Sequence, residues 1–374
     1  MRFRVFVMAL LATVPVAAQR HKLTINAETP EGQLLQQIGL EEDANNKLAL
    51  LEKFAATYPK HEAVAWVYAQ MVPLYSKTGQ PDKAMEAAAK LLALDPEDVQ
   101  TAHAALRAAE ATKDPDAVKK WAVQLSEAAR KVLQKPKPQD EEEVEIWKQE
   151  VEFAKQVDTY SEYALYAAAL QAQEPRKRIE LIETLEQRNP QSQYVAQVRG
   201  VYVVALQQAG ETAKAVAVAE KILETDQSNE DMLLLVADFY LKQNKSPDKV
   251  IAYSEKMIEL MKIKPKPEGV ADADWEKKKT LVTGLGYWMS GVTYATQNKY
   301  AQADKQLREA LPYIKDNDQL LAVAYFHLGV ANYKLERILD AIKFNQECIK
   351  IKSPLQAQAK RNLAAIQSQY RVVR

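Results

Sequence analysis

The chain has 374 residues, of which 47% are hydrophobic and 27% charged, a composition rich enough in apolar side chains to bury a core and so not a disordered one. Lysine plus arginine and aspartate plus glutamate balance at 50 each, so there is no surplus positive charge to neutralise a phosphate backbone, and nucleic acid is excluded as an expected partner. Only 10 glycines occur among abundant Ala, Leu, Gln, Glu and Lys, which leaves little material for hairpin turns and points to an all-α fold.

Taken in chain order, Arg2 and Arg4 precede the apolar run VFVMALLATV, and Val16-Ala17-Ala18 supplies small residues before Gln19. This predicts an export signal over residues 1–18. The apolar run is shorter than the roughly 20 residues a spanning helix needs, so no membrane span is expected after cleavage, and a periplasmic or secreted protein of bacterial type follows. Residues 19–134 form a first block. In it, NNKLALLEKFAATYPKHEA reads as a helix stopped at Pro59, and YSKTGQPDKAMEAAAKLLALDPED as a complete helical hairpin. One helix ends near Lys77, Gly79 permits the turn, Pro81 suits the first turn of the next helix, and Asp95-Pro96 ends it. PDAVKKWAVQLSEAARKVL supplies a further helix from Pro115.

A KPKP segment, 135–146, separates this block from a second one over 147–263. There PRKRIELIETLEQRNPQSQ stops at Pro190, and GVYVVALQQAGETAKAVAVAEKILETD repeats the glycine-turned hairpin around Gly210. A second KPKP segment, 264–274, precedes a C-terminal pair of hairpins and an end helix over 275–374, the last opening at Ser353-Pro354. Pro59 and Pro190, Gly79 and Gly210, and Ala84 and Ala215 are each 131 residues apart, and the two KPKP tetrads are 129 apart. The architecture is therefore written twice. KPKP itself resists helix and reads as a stiff extended spacer, and the acidic run Asp140 to Glu143 suits the positive end of a helix that begins before Trp147.

Three stretches share one pattern: Tyr68, Met71, Val72, Tyr75, Ala84, Ala88 and Pro96; Tyr287, Ser290, Gly291, Tyr294, Ala303, Leu307 and Ala310; and Tyr325, Leu328, Gly329, Asn332, Ala341, Asn345 and Ser353. The pattern resembles the tetratricopeptide repeat. The resemblance implies a right-handed superhelical solenoid of about eight helical hairpins with a C-terminal capping helix. It also implies a concave groove lined by each hairpin's first helix, where Trp66, Trp288, Phe326, Tyr333 and Lys334 would face a protein or peptide partner. The Lys and Asn clamp with which some members grip a carboxylate terminus is absent, because Ala69, Pro73, Trp288, Val292, Phe326 and Val330 stand at the matching positions. Self-association through exposed hairpin faces is a further expectation.

No catalytic or cofactor motif appears. His21, His61, His103 and His327 show no metal-ligand spacing, there is no phosphate loop and no nucleophile elbow, and the lone Cys348 falls on the inner side of its helix. The expected function is thus a non-catalytic interaction scaffold without metal or cofactor, in the cell envelope. The alternative is an exported enzyme or carrier that encloses a small molecule or glycan, for which Tyr160, Tyr163 and Tyr166, spaced i, i+3 and i+6, could stack on a sugar face. A packed helical stripe explains the same spacing.

Overall fold

The computed structural model describes residues 20, 21, 23 and 25–370; the predicted export signal lies outside them. The described residues form 17 helices and no strands, and divide into two compact units between Gly210 and Glu211. The N-terminal unit carries α1 (Pro30–Leu40), α2 (Ala44–Thr57), α3 (Val64–Lys77), α4 (Pro81–Leu94), α5 (Val99–Thr112), α6 (Pro115–Leu133), α7 (Glu141–Gln171), α8 (Pro175–Arg188) and α9 (Gln193–Gln208). The C-terminal unit carries α10 (Thr212–Thr225), α11 (Glu230–Lys242), α12 (Pro247–Ile263), α13 (Asp272–Thr296), α14 (Tyr300–Ile314), α15 (Asp318–Lys334), α16 (Ile338–Lys350) and α17 (Gln356–Tyr370). In chain order these are eight successive pairs and an end helix, as the repeats predict.

The helix ends follow the punctuation in the sequence. Proline opens α4, α6, α8 and α12, where its missing N–H is not needed. Asp98, Asp114 and Asp140 accept backbone N–H groups at the starts of α5, α6 and α7. Gly79 adopts φ 73° and Gly210 φ 79° just past the ends of α3 and α9, a left-handed conformation that a side chain would strain. Inside the hairpins small residues set the spacing: Ala84, Ala88, Ala303 and Ala341 are fully buried. A Cβ added to Gly291 would meet the Leu307 side chain at 2.7 Å, and one on Gly329 would meet Asn345 Nδ2 at 2.6 Å.

A polar bolt recurs between consecutive pairs. Tyr75 donates its hydroxyl to Glu52 on α2 (2.5 Å), and Lys83 of α4 reaches the same carboxylate (3.3 Å). The C-terminal unit repeats this with Tyr240 and Lys249 on Glu220 (3.1 and 2.7 Å). Tyr202 likewise donates to Glu183 (2.9 Å) and Tyr294 to Glu255 (3.0 Å). Tyrosine near the C-terminal end of a first helix thus satisfies its hydroxyl on the preceding second helix while its ring stays packed.

Both KPKP segments lie within the units, and each is tied down. Lys135 pairs with Glu97 in the α4–α5 turn (2.6 Å), and its carbonyl accepts from Trp147 Nε1 (3.3 Å). Lys264 pairs with the buried Glu230 and donates to the Ser228 carbonyl (3.1 Å). Helix α7 takes up the second half of the 135–146 segment. Within the N-terminal unit α3 touches α5, α5 touches α7 and α7 touches α9; in the C-terminal unit α11, α13, α15 and α17 form the same kind of row. In each unit successive first helices therefore lie side by side.

Candidate functional site

In the N-terminal unit, α5, α7 and the start of α9, together with the first turns of α6 and α8, line a concavity of about 1750 Å³. Its wall follows from helical spacing. On α7, Tyr160 and Tyr163 are three residues apart on one face; Tyr160 meets His103 of α5 and Tyr163 meets Tyr194 of α9. The Ser192 hydroxyl accepts from the Tyr194 amide (3.3 Å), which starts α9 and brings the Tyr194 ring alongside. The rings form a continuous strip: Phe153 to His103 at 6.0 Å, His103 to Tyr160 at 5.3 Å, Tyr160 to Tyr163 at 6.1 Å and Tyr163 to Tyr194 at 5.8 Å between centroids. Tyr166 stacks behind, 5.3 Å from Tyr194. Tyr163 is 41% exposed. The floor beneath is alanine: Ala164, Ala167 and Ala168.

Polar groups at the rim are committed to one another. Arg107 Nη1 donates to the Tyr160 hydroxyl (2.6 Å), which donates to Glu110 Oε2 (2.6 Å). Burial, reinforced by Glu110 and opposed by Arg107, pushes the Tyr160 phenol up to about 12, so it stays a neutral donor at ordinary pH. Burial, helped by the Arg107 charge, also lowers His103, which is therefore a neutral imidazole at pH 7. Lys177 donates to Asp116 (2.5 Å) and to Glu180 (2.9 Å), and both partners raise its pKa. With Glu110 and Asp116 satisfied in this way, the concavity presents no pair of free carboxylates for acid and base work. It offers aromatic faces, a small-residue floor and a few neutral donors, which is an arrangement for binding.

The groove residues suggested by the repeat pattern lie elsewhere. Trp66 is half-buried on α3 and does not line the concavity. The other four belong to the C-terminal unit. Trp288 Nε1 donates to the Leu320 carbonyl (3.0 Å), and its ring packs against the core around Leu307, Leu328 and Phe344. Phe326 is half-buried on α15, the Tyr333 hydroxyl donates to Gln369 of α17 (2.8 Å), and Lys334 is exposed. Tyr160 and Tyr163 were visible as a stripe, but His103, Arg107 and Tyr194 were not singled out. Their convergence is set by the stacking of three first helices, and no local spacing records it.

His21, Asp95 and Asp98 also converge, with ligating atoms within 4.8 Å of one another. The Arg20 guanidinium already pairs with Asp95, holding that carboxyl below its usual range, and Asp98 caps α5 through Thr101 N (2.9 Å). These carboxylates serve the fold, strapping the start of the described chain onto the α4–α5 turn. Cys348 is buried, and burial raises its thiol pKa, which disfavours the thiolate.

Comparison with known proteins gives a family match over one hairpin and likenesses among solved structures. Residues 67–98, which span most of α3, the Gly79 turn and α4, match the family model described as Tetratricopeptide repeat. No curated protein matches the chain. Among solved structures, the TPR domain of P58(IPK) is 13% identical, with 92% of this chain and 99% of that chain covered and a TM-score of 0.27.

Proposed function

We propose that this tetratricopeptide-repeat protein is a non-catalytic scaffold that holds a segment of a partner protein in the concavity between α5, α7 and α9. Tetratricopeptide repeats are in general protein-interaction modules, which sets the class. The observation that carries the specific reading is the size and lining of this site. At about 1750 Å³ it exceeds the roughly 300–1,000 Å³ of ordinary small-molecule sites, and its wall is a run of rigid rings that give contact area at low entropy cost. Two of the three rim carboxylates, Glu110 and Asp116, are engaged by neighbours, which supports binding over catalysis. No helix among the described residues is long and apolar enough to cross a membrane. The export pattern of residues 1–18 supports action in the bacterial cell envelope or outside it.

The test is photocrosslinking in cells from a probe placed at Gln156 on the rim, with and without Tyr163→Ala plus Tyr194→Ala, and with mass spectrometry of the adducts. A defined protein adduct lost in the folded double variant supports the reading. Adducts unchanged by the substitutions, or captured equally by probes at Trp66 or Phe326, place binding outside this concavity. Fractionation and N-terminal sequencing of the same protein test export: a mature chain beginning at Gln19 in the envelope fraction is expected, and an intact chain in the cytoplasm overturns it.

A further inference from the structure

We infer that the mature amino terminus, Gln19-Arg20-His21, binds a Cu(II) or Ni(II) ion, with Asp98 orienting the imidazole that completes the site. The inference rests on the export reading above, because only cleavage before Gln19 turns that residue's nitrogen into an amine and makes His21 the third residue of the chain. Gln19 lies outside the described residues; Arg20 and His21 are among them. A free amine with histidine at the third position offers four nitrogens in succession: the amine, the amides of Arg20 and His21, and the His21 imidazole Nδ1. Consecutive backbone nitrogens close five-membered chelate rings on an ion, and Nδ1 closes a six-membered one, so the set is planar. A planar nitrogen set suits Cu(II) and Ni(II), whereas Zn(II) prefers a tetrahedron. Binding releases the proton of the amine and one from each amide, and the two amide charges then neutralise the ion.

The structure prepares the histidine for this role. His21 Nε2 lies 3.2 Å from Asp98 Oδ2 and 3.8 Å from Asp95 Oδ2. A carboxylate only accepts, so Nε2 carries the hydrogen and Nδ1 is the bare nitrogen of the neutral ring. Nδ1 is the one the chelate requires. A histidine that ligates through one nitrogen and donates from the other to a carboxylate is the usual arrangement at protein metal sites. Asp98 is itself held, since it accepts from the Thr101 amide and hydroxyl, both at 2.9 Å. The Arg20 and His21 amides make no hydrogen bond to a described residue, and the backbone bends at both, so no regular structure has to break for them to face an ion. The Arg20 side chain pairs with Asp95 (2.8 Å). The second residue of such a chelate gives only its amide, so this ion pair persists and keeps the imidazole beside Asp98. The side chains of His21, Asp95 and Asp98 alone make a poorer site, because Arg20 already occupies both Asp95 oxygens.

The experiment titrates Cu(II) sulfate into the mature protein, purified from the envelope of cells that make the full chain, after its amino terminus has been sequenced and its mass measured. Visible absorbance and electron paramagnetic resonance follow the binding. One equivalent is expected to bind with the spectrum of four planar nitrogens, and an excess of Zn(II) to leave it in place. His21→Ala is expected to lose that spectrum. So is a chain with one serine inserted before Gln19, which keeps every side chain and moves His21 to the fourth position. Asp98→Asn keeps the cap of α5 and is expected to weaken binding by about tenfold; unchanged affinity there removes Asp98 from the site. Copper binding that survives the insertion and is lost in Asp95→Asn overturns the inference in favour of the side-chain cluster. A chain that begins at Gln19 without the four-nitrogen spectrum overturns it and leaves the export reading standing. So does one whose Gln19 amine has closed onto its own side chain with loss of ammonia. A chain not cleaved before Gln19 removes both.

Discussion

Gly291 and Gly200 are both helical glycines, and they make opposite predictions. At Gly291 a Cβ would lie 2.7 Å from Leu307 Cγ and 3.0 Å from the Leu307 backbone nitrogen, so the α14 backbone itself would have to yield. Gly291→Ala should therefore destabilise the C-terminal unit by about 1–3 kcal/mol. Nothing lies within 4 Å of a Cβ at Gly200 on α9, so Gly200→Ala should stabilise by about 0.5–1 kcal/mol through helix propensity alone. Urea denaturation of the two variants checks both signs. Gly291 was legible as a close-contact position because it recurs in the repeat pattern; the openness of Gly200 was not, since the pattern says nothing about a residue between contacts. Tyr160 gives a third residue-level expectation. Its folded pKa, about 12, exceeds the roughly 10 of an unfolded tyrosine. A raised value means its contribution to stability is intact below pH 10 and is lost as pH climbs toward 12. Absorbance titration at the phenolate band should show a late-ionising component that is missing in Tyr160→Phe. Ionisation of Tyr160 with the exposed tyrosines would contradict the burial and the Glu110 bond.

At the scale of the element, the fold is held by contacts that repeat between hairpins, so their worth can be measured at one copy and compared at another. The Tyr240–Glu220 bond (3.1 Å) joins α11 to α10. A double-mutant cycle with Tyr240→Phe and Glu220→Gln should give a coupling of about 0.5–1.5 kcal/mol, and a coupling near zero would make the bond an ornament of the packing. The KPKP segments offer a sharper case. Burial acts to raise the pKa of Glu230, but hydrogen bonds from Lys264 and Lys278 outweigh it and hold the carboxyl below its usual range. A depressed carboxylate stabilises fully above the unfolded value of about 4.3 and loses that contribution as pH falls through the lower folded value. Lys264→Ala should thus cost about 1–3 kcal/mol at pH 7, because a buried charge loses one of two partners, and the gap from the unaltered chain should close in acid as Glu230 protonates. An undiminished gap in acid would show that Lys264 acts through its aliphatic stem instead. That KPKP is an extended element between helices could be read from its alternate prolines. Its anchorage to Glu97 and Glu230 could not, since those partners lie two helices back and only the stacking brings them near.

Across the whole molecule, the sequence announces the hairpins through Gly79, Gly210, Pro81, Pro115 and the Asp caps, because turn chemistry is local and a few residues decide it. The aromatic concavity is a property of three neighbouring first helices and needs their stacking to exist. The same contrast separates what a repeat array stabilises locally from what it stabilises at a distance. Its stability is close to a sum of nearest-neighbour terms, and the end helix contributes only to the last of them. On α17, Ala359 and Ile366 are buried and Gln369 receives the Tyr333 hydroxyl, so its apolar stripe is seated on α16 and α15. A chain ending at Leu355 should therefore expose the inner faces of those two helices. Hydrogen exchange followed by mass spectrometry should find protection falling most in α15 and α16, less in α13 and α14, and not at all in α3 to α8. A uniform loss of protection over both units would mean that the array unfolds as one cooperative body, and that the nearest-neighbour account of its stability is wrong.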